Sequence, residues 1–334
     1  MPTMKGRITA VVLVSWALAA QACSGNASSF PAAETFGTSS APPVPNPFTV
    51  VSTFTPDSLG HGLQHIIWLA IGPDGNLYVT DTSDQVAVIS PQGQVLKQWG
   101  KRGSAQGEFK FDPHESSDPF DIHAMIAVAP DGRVVVTDYG NERVQLFTST
   151  GHFLGYIGSF GPEDGQLLDA FEPVFDGDGN LYIVDDKLGM ISKFSRDGRF
   201  LWRVGGTDGE VDPKTLSCGA HLGGVDPHGR LVVQNGCNWV LYLDTSDGRM
   251  LDEFESRTCD VGFDAYGNTY ANRDSDGCED GLTKVYDRSH RLIGEWSGPD
   301  NRIAQVPQFG PNGEIFAVAT DGSIVQLSVS LPGT

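Results

Sequence analysis

Residues 130–136 have the sequence PDGRVVV, a turn tripeptide followed by one polar residue and a run of β-branched residues. This is the pattern of a tight turn that enters a β-strand. Five other segments repeat it: PDGNLYV (73–79), GDGNLYI (177–183), PHGRLVV (227–233), AYGNTYA (265–271) and PNGEIFA (311–317). Because the turn glycines are spaced by 38 to 57 residues, the pattern predicts the blades of a β-propeller and not a solenoid of helices.

A second turn follows in most repeats, with a polar residue and an apolar pair after it. The turn positions are Gly93, Gly151, Gly198, Gly248 and His290. This second hairpin gives each repeat four strands. The sixth repeat ends before its fourth strand, whereas residues 47–54 (PFTVVSTF) are strand-like and unassigned. We therefore predict an all-β, six-bladed β-propeller of four-stranded antiparallel blades over residues 48–330, with the ring closed by the N-terminal strand.

The chain is acidic and rich in turn residues. Its 334 residues include 42 Asp and Glu against 22 Lys and Arg, a net charge of −20, together with 41 Gly and 20 Pro. The Gly and Pro content favours a turn-dense fold over a helical bundle. Such a charge repels phosphate backbones and anionic lipid headgroups, so we exclude a nucleic-acid partner. We expect a monomer that attracts cations or basic partners.

Residues 1–22 have the pattern of a signal peptide. Lys5 and Arg7 precede an apolar run at 8–20, which is too short to span a bilayer. The stretch at 23–47 is dominated by Ser, Pro and Ala and cannot bury enough apolar surface to fold, so we predict a flexible tether. We therefore expect the mature protein to be extracytoplasmic.

Two forms of the exported protein are compatible with the residues around Cys23. The sequence AQAC (20–23) resembles the lipobox of bacterial lipoproteins, although Ala20 stands where a leucine is usual. The same small residues also suit ordinary signal peptidase. The protein is therefore either an envelope lipoprotein, attached to a membrane only through a lipid on Cys23, or a secreted protein.

The four remaining cysteines form an even set in an oxidising compartment, which favours disulfide bonds. They are Cys218, Cys237, Cys259 and Cys278. Four cysteines allow three connectivities, and the sequence does not choose among them. A disulfide that closes a loop of 19 residues, the spacing of 218/237 and of 259/278, stabilises a fold by roughly 3 kcal/mol in the chain-entropy model.

Two parts of the sequence resemble NHL repeats. They are GKRGSAQGEFKFDPH (100–114) with AVAPDGRVVVTDYGNERVQLF (127–147), and GSFGPEDGQL (158–167) with GDGNLYIVDD (177–186). The resemblance is strongest over the first three repeats and covers nearly all of residues 60–330. It implies a propeller that acts as a binding module, here for a protein, peptide or glycan at the loop-rich channel mouth. Less often, such propellers are enzymes, among them the peptidyl-hydroxyglycine amidating lyases.

Five of the eight histidines precede the first strand of a blade, which places them near one mouth of the central channel. They are His61, His65, His114, His123 and His221. Three from different blades, His65, His123 and His221, have the ligand chemistry of a zinc site with an open position for water or substrate. In amidating lyases of similar fold, histidines from separate blades bind zinc, which makes a metal-dependent lyase or hydrolase the alternative function. The competing interpretation is that polar residues line a hydrated channel without a metal.

Asp81, Asp138 and Asp185 each lie six residues after a turn glycine, and Asn235 holds this position in the fourth repeat. A ring of catalytic carboxylates is one interpretation. The regular recurrence favours a structural one, in which these side chains accept backbone N–H bonds in the turn after each strand.

The segment RDSDGCEDG (273–281) concentrates four carboxylates around a glycine. Calcium prefers such oxygen-rich loops, but the twelve-residue EF-hand spacing is absent. A calcium site and a solvated acidic loop are therefore both retained. The tryptophans of the fourth strands, Trp99, Trp202 and Trp296, are predicted to pack between blades.

Overall fold

The structure, a computed structural model, describes residues 46–112, 123–206, 216, 220–235, 239–256, 258–273, 283–296 and 305–331. These residues form 26 β-strands, a short helix at Pro56–Leu59 and a 3₁₀ turn at Tyr139–Asn141. Twenty-four of the strands make six four-stranded sheets, and every pairing in these sheets is antiparallel. The predicted all-β, six-bladed propeller is confirmed. No helix in the described part of the chain is long and apolar enough to cross a membrane.

Five blades use four consecutive strands each. Blade 1 contains β2 (Ile66–Ile71), β3 (Leu77–Asp81), β4 (Gln85–Ile89) and β5 (Val95–Trp99), and blade 2 contains β6 (Ile126–Val128), β7 (Val134–Asp138), β8 (Arg143–Phe147) and β9 (Phe153–Ile157). Blade 3 contains β12 (Ala170–Phe175), β13 (Leu181–Asp185), β14 (Met190–Phe194) and β15 (Phe200–Gly205), and blade 4 contains β16 (His221–Val225), β17 (Arg230–Gln234), β18 (Trp239–Asp244) and β19 (Met250–Glu255). Blade 5 contains β20 (Thr258–Phe263), β21 (Thr269–Arg273), β22 (Thr283–Tyr286) and β23 (Leu292–Trp296). The first strands of blades 6, 1, 2, 3, 4 and 5 contact one another in that order, so these strands surround the central channel.

Blade 6 joins the two ends of the chain. It contains β24 (Gln308–Phe309), β25 (Ile315–Val318), β26 (Ile324–Val329) and β1 (Phe48–Phe54). Strand β1 pairs antiparallel with β26, from Phe48 opposite Val329 to Phe54 opposite Ile324. The predicted closure of the ring by the N-terminal strand is therefore confirmed, and it covers an edge of β26 that would otherwise be exposed.

A parallel pair of two-residue strands lies outside the blades. Strands β10 (Ser159–Phe160) and β11 (Gln166–Leu167) belong to the connection between blades 2 and 3. This connection follows the last strand of blade 2 and precedes the first strand of blade 3. It therefore lies on the same face of the ring as the predicted channel mouth.

The turn glycines are required by backbone geometry. In blade 1 the Gly75 N–H donates to the Gly72 carbonyl at 2.9 Å, and Gly75 has a φ of 78°. The five equivalent glycines have φ between 78° and 86°. Residues with a side chain rarely adopt this left-handed conformation, which explains why a glycine marks every repeat.

The core lies in the seams between blades. In the seam of blades 1 and 2, Tyr78 and Val86 pack with Ile126 and Phe147, all of them buried. The ring of Trp99 lies 5.9 Å from that of Phe147 in the next blade, which agrees with the predicted packing role of the fourth-strand tryptophans.

The ring closure places Phe48 in the seam of blades 5 and 6, and this generates a stability prediction. Phe48 is buried, with its ring centroid 4.6 Å from Trp296 and 5.8 Å from Tyr270. Replacing it in Phe48→Ala is expected to lower the free energy of unfolding by about 3–5 kcal/mol. Val51 on the same strand is 59 % exposed, so Val51→Ala is expected to change it by less than about 0.5 kcal/mol. Urea unfolding measures both; equal effects would show that closure of the ring is not stabilising.

Candidate functional site

Strand register places three polar residues at one level of the channel mouth. The carbonyl of His65 accepts the N–H of Thr82, and in blade 3 the carbonyl of Asp169 accepts the N–H of Asp186. These acceptors are equivalent, because each faces the residue that follows the end of the second strand. In blade 2 the register of β6 and β7 places His123 at the same level. His65, His123 and Asp169 therefore precede three successive first strands at equivalent positions.

His221 lies deeper in the channel. It pairs with Gln234, at the level where Phe171 pairs with Val184 in blade 3. The unequal spacings of the histidines from their turn glycines thus have two causes. A register shift between Ile66 and Trp68 adds a residue in blade 1. His221 lies two residues further along its chain than the level that His65 and His123 share.

Four rings form a continuous row across blades 2, 3 and 4, which we call the aromatic row: Tyr139, His123, Phe171 and His221. The centroid of His123 lies 4.9 Å from that of Tyr139 and 5.1 Å from that of Phe171. The centroid of Phe171 lies 5.8 Å from that of His221. All three contacts are edge-to-face, the favourable geometry for neighbouring rings. Two of the three predicted histidines are therefore brought together, with Phe171 in contact with both.

His65 is directed elsewhere. A Cβ built on Gly322 of blade 6 would lie 2.7 Å from the Cγ atom of His65, so this imidazole packs into the seam of blades 1 and 6. Burial lowers the pKa of His65, although Asp81 and Asp321 oppose the shift. Within the described residues, no group of three or more His, Cys, Asp and Glu side chains is arranged to hold a metal ion. Zinc at His65, His123 and His221 stays a prediction.

The strand-end aspartates hold the chain that enters the first strands. Asp81 is fully buried and its carboxylate accepts the N–H groups of Gln64 at 2.8 Å, His65 at 2.9 Å and Ser83 at 2.9 Å. In blade 3, Asp185 accepts the N–H groups of Leu168 at 2.6 Å and of Leu188 at 3.1 Å. The predicted structural role is confirmed for these two, and it extends to fixing the backbone at the channel mouth.

Asp169 lies beside the aromatic row with an incompletely satisfied carboxylate. Its Oδ1 atom is buried and accepts no hydrogen bond from the described residues. Burial, reinforced by the neighbouring Asp186 and Asp185 carboxylates, raises the pKa of Asp169 to about 6. Asp169 also contributes, after burial, to the raised pKa of Tyr139. This corner of the mouth therefore concentrates negative charge next to aromatic rings.

Glu172, which is buried, pairs with the partly exposed His221. A register shift in β12 between Phe171 and Val174 leaves Glu172 in a left-handed conformation with φ 37°. Its Oε1 lies 2.8 Å from His221 Nδ1, and its Oε2 accepts the N–H of Leu222 at 2.7 Å. Burial opposes a charged imidazole, but the adjacent carboxylate outweighs it and raises the pKa of His221 to about 9.

Asp260 adds a second carboxylate to this group. It comes from β20 of blade 5, and its oxygens accept the N–H groups of Val261 at 2.8 Å and Val306 at 3.1 Å. Burial and repulsion from Glu172 raise the pKa of Asp260 to about 7, although His221 opposes the shift. Glu172 and Asp260 both line a channel cavity of about 180 Å³. The channel thus holds a carboxylate, Asp260, whose pKa is raised to near neutral pH.

Several predicted residues lie outside the described part of the chain. They are Cys23, Cys218, Cys237, Cys278, His114 and residues 274–281 of the acidic segment. Cys259 lies in strand β20. The disulfide, lipid and calcium predictions therefore stay predictions.

Sequence reasoning missed Phe171, Glu172 and Asp260. For Glu172 and Asp260 the signal was present as a charged residue inside an otherwise apolar first strand, in AFEPVF (170–175) and TCDVGF (258–263). Their convergence follows from register shifts near the mouth, which turn patterns do not specify.

Comparison with known proteins supports the fold. No protein-family model matches the chain, and no curated protein matches it. Among solved structures, a streptogramin B lyase has a TM-score of 0.55 at 10 % identity, covering 85 % of this chain and 98 % of its own. Two virginiamycin B lyase structures from Staphylococcus aureus, with TM-scores of 0.53 and 0.55 at 9 % and 11 % identity, also cover 85 % of this chain and all of their own. The second is a catalytically inactive histidine-to-alanine variant with quinupristin. These structures share the propeller fold, and NHL repeats are not confirmed as such.

The His221–Glu172 pair generates a titration prediction. In the parent protein the His221 imidazole is expected to titrate near pH 9, above its ordinary 6.5. The stability that this pair contributes is therefore fully present below pH 6.5 and is lost as the pH rises through about 9. In Glu172→Gln the pKa is expected to fall to 6.5 or below, because burial is then less opposed. NMR of the histidine ring protons measures this, with the exposed His152 as an internal control; a value near 6.5 in both proteins would contradict the pair.

Proposed function

We propose that this protein is an extracytoplasmic binding module whose channel mouth takes a peptide ligand with a positively charged group. The observation that supports it best is the aromatic row beside Asp169, whose buried Oδ1 atom accepts no hydrogen bond from the described residues. The signal peptide pattern at residues 1–22 supports the location, either secreted or tethered by a lipid on Cys23.

The chemistry of the mouth favours a cation. The faces of Phe and Tyr rings attract ammonium and guanidinium groups within about 6 Å. A buried carboxylate oxygen without a donor gains most from a ligand that supplies an N–H. The net charge of −20 adds attraction at long range. An arginine or lysine side chain satisfies all three conditions.

A peptide fits these conditions better than a glycan. Neutral sugars stack on aromatic rings but bring no charge to Asp169 and its neighbour Asp186. A peptide brings N–H donors and a cationic side chain together. The resemblance of the sequence to NHL repeats, which act as binding platforms, agrees with this proposal.

The second candidate is a lyase or hydrolase, supported by the group of Glu172, His221 and Asp260. A general acid or base works best when its pKa lies near the working pH, and the pKa of Asp260 is raised to about 7. The similar solved structures are lyases by name. In the form of this candidate with a metal, zinc would be held by His65, His123 and His221, and His65 would first have to turn out of the seam of blades 1 and 6.

The binding proposal is tested with acetyl-Ala-Arg-Ala-amide and its neutral isostere, in which citrulline replaces arginine. We expect the arginine peptide to bind more tightly, with affinity that falls as salt rises. Asp169→Asn is expected to weaken it by about tenfold. The control is Asp197→Asn, an exposed carboxylate on the opposite face, which is expected to have no effect. Equal binding of the two peptides, measured by NMR titration, would refute the proposal.

The metal form of the second candidate is tested by metal analysis after dialysis against a weak chelator. It predicts about one zinc ion per chain in the parent protein and in the turn variant His152→Ala, and loss of that zinc in His123→Ala. A parent protein without zinc, or one that retains zinc in His123→Ala, would contradict it.

A further inference from the structure

A cleft lies between blades 2 and 3, outside the central channel. Its volume is about 290 Å³. Its deeper lining includes Ile157 and Leu167, which are only 6 % and 5 % exposed. Two rings, Tyr156 and Phe160, also line it and are 45 % and 54 % exposed. An apolar hollow with exposed rings in an otherwise acidic protein is typical of a binding site.

One aromatic residue of the cleft, Tyr156, is fixed in position by contacts within the protein. The Arg143 guanidinium lies 5.5 Å from the centre of the Tyr156 ring and donates to its hydroxyl at 3.2 Å. Arg143 is itself fixed by Asp138, through its Nε at 2.6 Å, and by the carbonyls of Ala105 and Glu108, each at 2.8 Å. Because these bonds already use the guanidinium, it does not supply an anion site. Arg143 instead holds the Tyr156 ring in position.

The cleft adjoins Asp169 at the channel mouth through its lining residues. Leu168 and Ala170 line it and flank Asp169 in the chain, and Glu142 lines it from the blade 2 side. Tyr139, a member of the aromatic row, lies within electrostatic reach of both Asp169 and Glu142. A ligand that fills the cleft therefore places its neighbouring group beside these two carboxylates.

We propose that this cleft binds an aromatic side chain of the peptide ligand, next to a basic residue that lies against Glu142 and Asp169. The proposal rests on the proposed function and narrows it to peptides with an adjacent basic and aromatic residue. The volume is near the lower end for ligand pockets, which begin at about 300 Å³, so the cleft takes one ring and not a whole ligand. The carboxylates at the mouth end favour a cationic neighbour over a neutral or anionic one.

The test compares acetyl-Arg-Trp-amide with acetyl-Arg-Ala-amide by NMR titration of the full chain. We expect the tryptophan peptide to bind at least about tenfold more tightly, because the cleft removes a large apolar side chain from water. Phe160→Ala is expected to remove most of this preference. Leu154→Ala is the matched control, because Leu154 is 47 % exposed on strand β9 and does not line the cleft.

A second variant blocks the cleft without removing a ring. Ser159 lines the cleft and is exposed, so Ser159→Trp is expected to fill it and to equalise the affinities for the two peptides. Thermal unfolding of each variant establishes that it folds. Retention of the tryptophan preference in both Phe160→Ala and Ser159→Trp would overturn the cleft proposal.

The outcomes separate this inference from the function on which it rests. If Asp169→Asn weakens both peptides while the cleft variants change nothing, the mouth binds the basic residue and the cleft proposal is wrong. If the cleft variants abolish the tryptophan preference while Asp169→Asn changes neither affinity, the cleft is a binding site and the proposed role of the mouth is wrong. Absence of binding by either peptide would contradict both.

Discussion

The antiparallel pairing of β1 with β26 is the constraint on which the rest of the structure depends. The candidate site draws on the consecutive blades 2, 3, 4 and 5, whose first strands contact one another. Closure of the ring limits the movement of these blades relative to one another. Phe48, buried against Trp296 and Tyr270 in the neighbouring blade, couples this closure to the packing of a seam. The pairing of the two chain ends therefore stabilises the arrangement of the blades around the channel.

Within the ring, carboxylates at the strand ends stabilise the backbone and are not available to a ligand. Asp81 and Asp185 fix the chain as it enters the first strands of their blades. Because these side chains already accept backbone N–H groups, they have little capacity for chemistry. Asp169, one position before β12, has a buried oxygen without such a donor from the described residues. The distinction between structural and functional carboxylates thus depends on hydrogen-bond partners and not on residue type.

The sequence predicted the fold well because a propeller repeats its signals. Each blade needs a glycine with positive φ at the same turn, and six such turns identify six blades. His65, His123 and His221 lie at the end of the channel predicted for them for the same reason. Their mutual distances were not predictable, since a register shift at Ile66 changes the count in blade 1 and the orientation of His65 depends on Gly322 in blade 6. Glu172 was missed because a single extra residue in a strand directs it into the channel.

The electrostatics of the mouth connect ligand charge to protonation. In the ligand-free protein Asp169 has a pKa of about 6, because burial and two neighbouring carboxylates favour its neutral form. A cation placed against it reverses that preference, so its pKa falls when the ligand binds. Binding of a cationic peptide at a pH near 6 must then release a proton, and by linkage the affinity must rise with pH through this range. A neutral ligand at the same position brings no positive charge to Asp169, so this electrostatic contribution to the pH dependence would be absent.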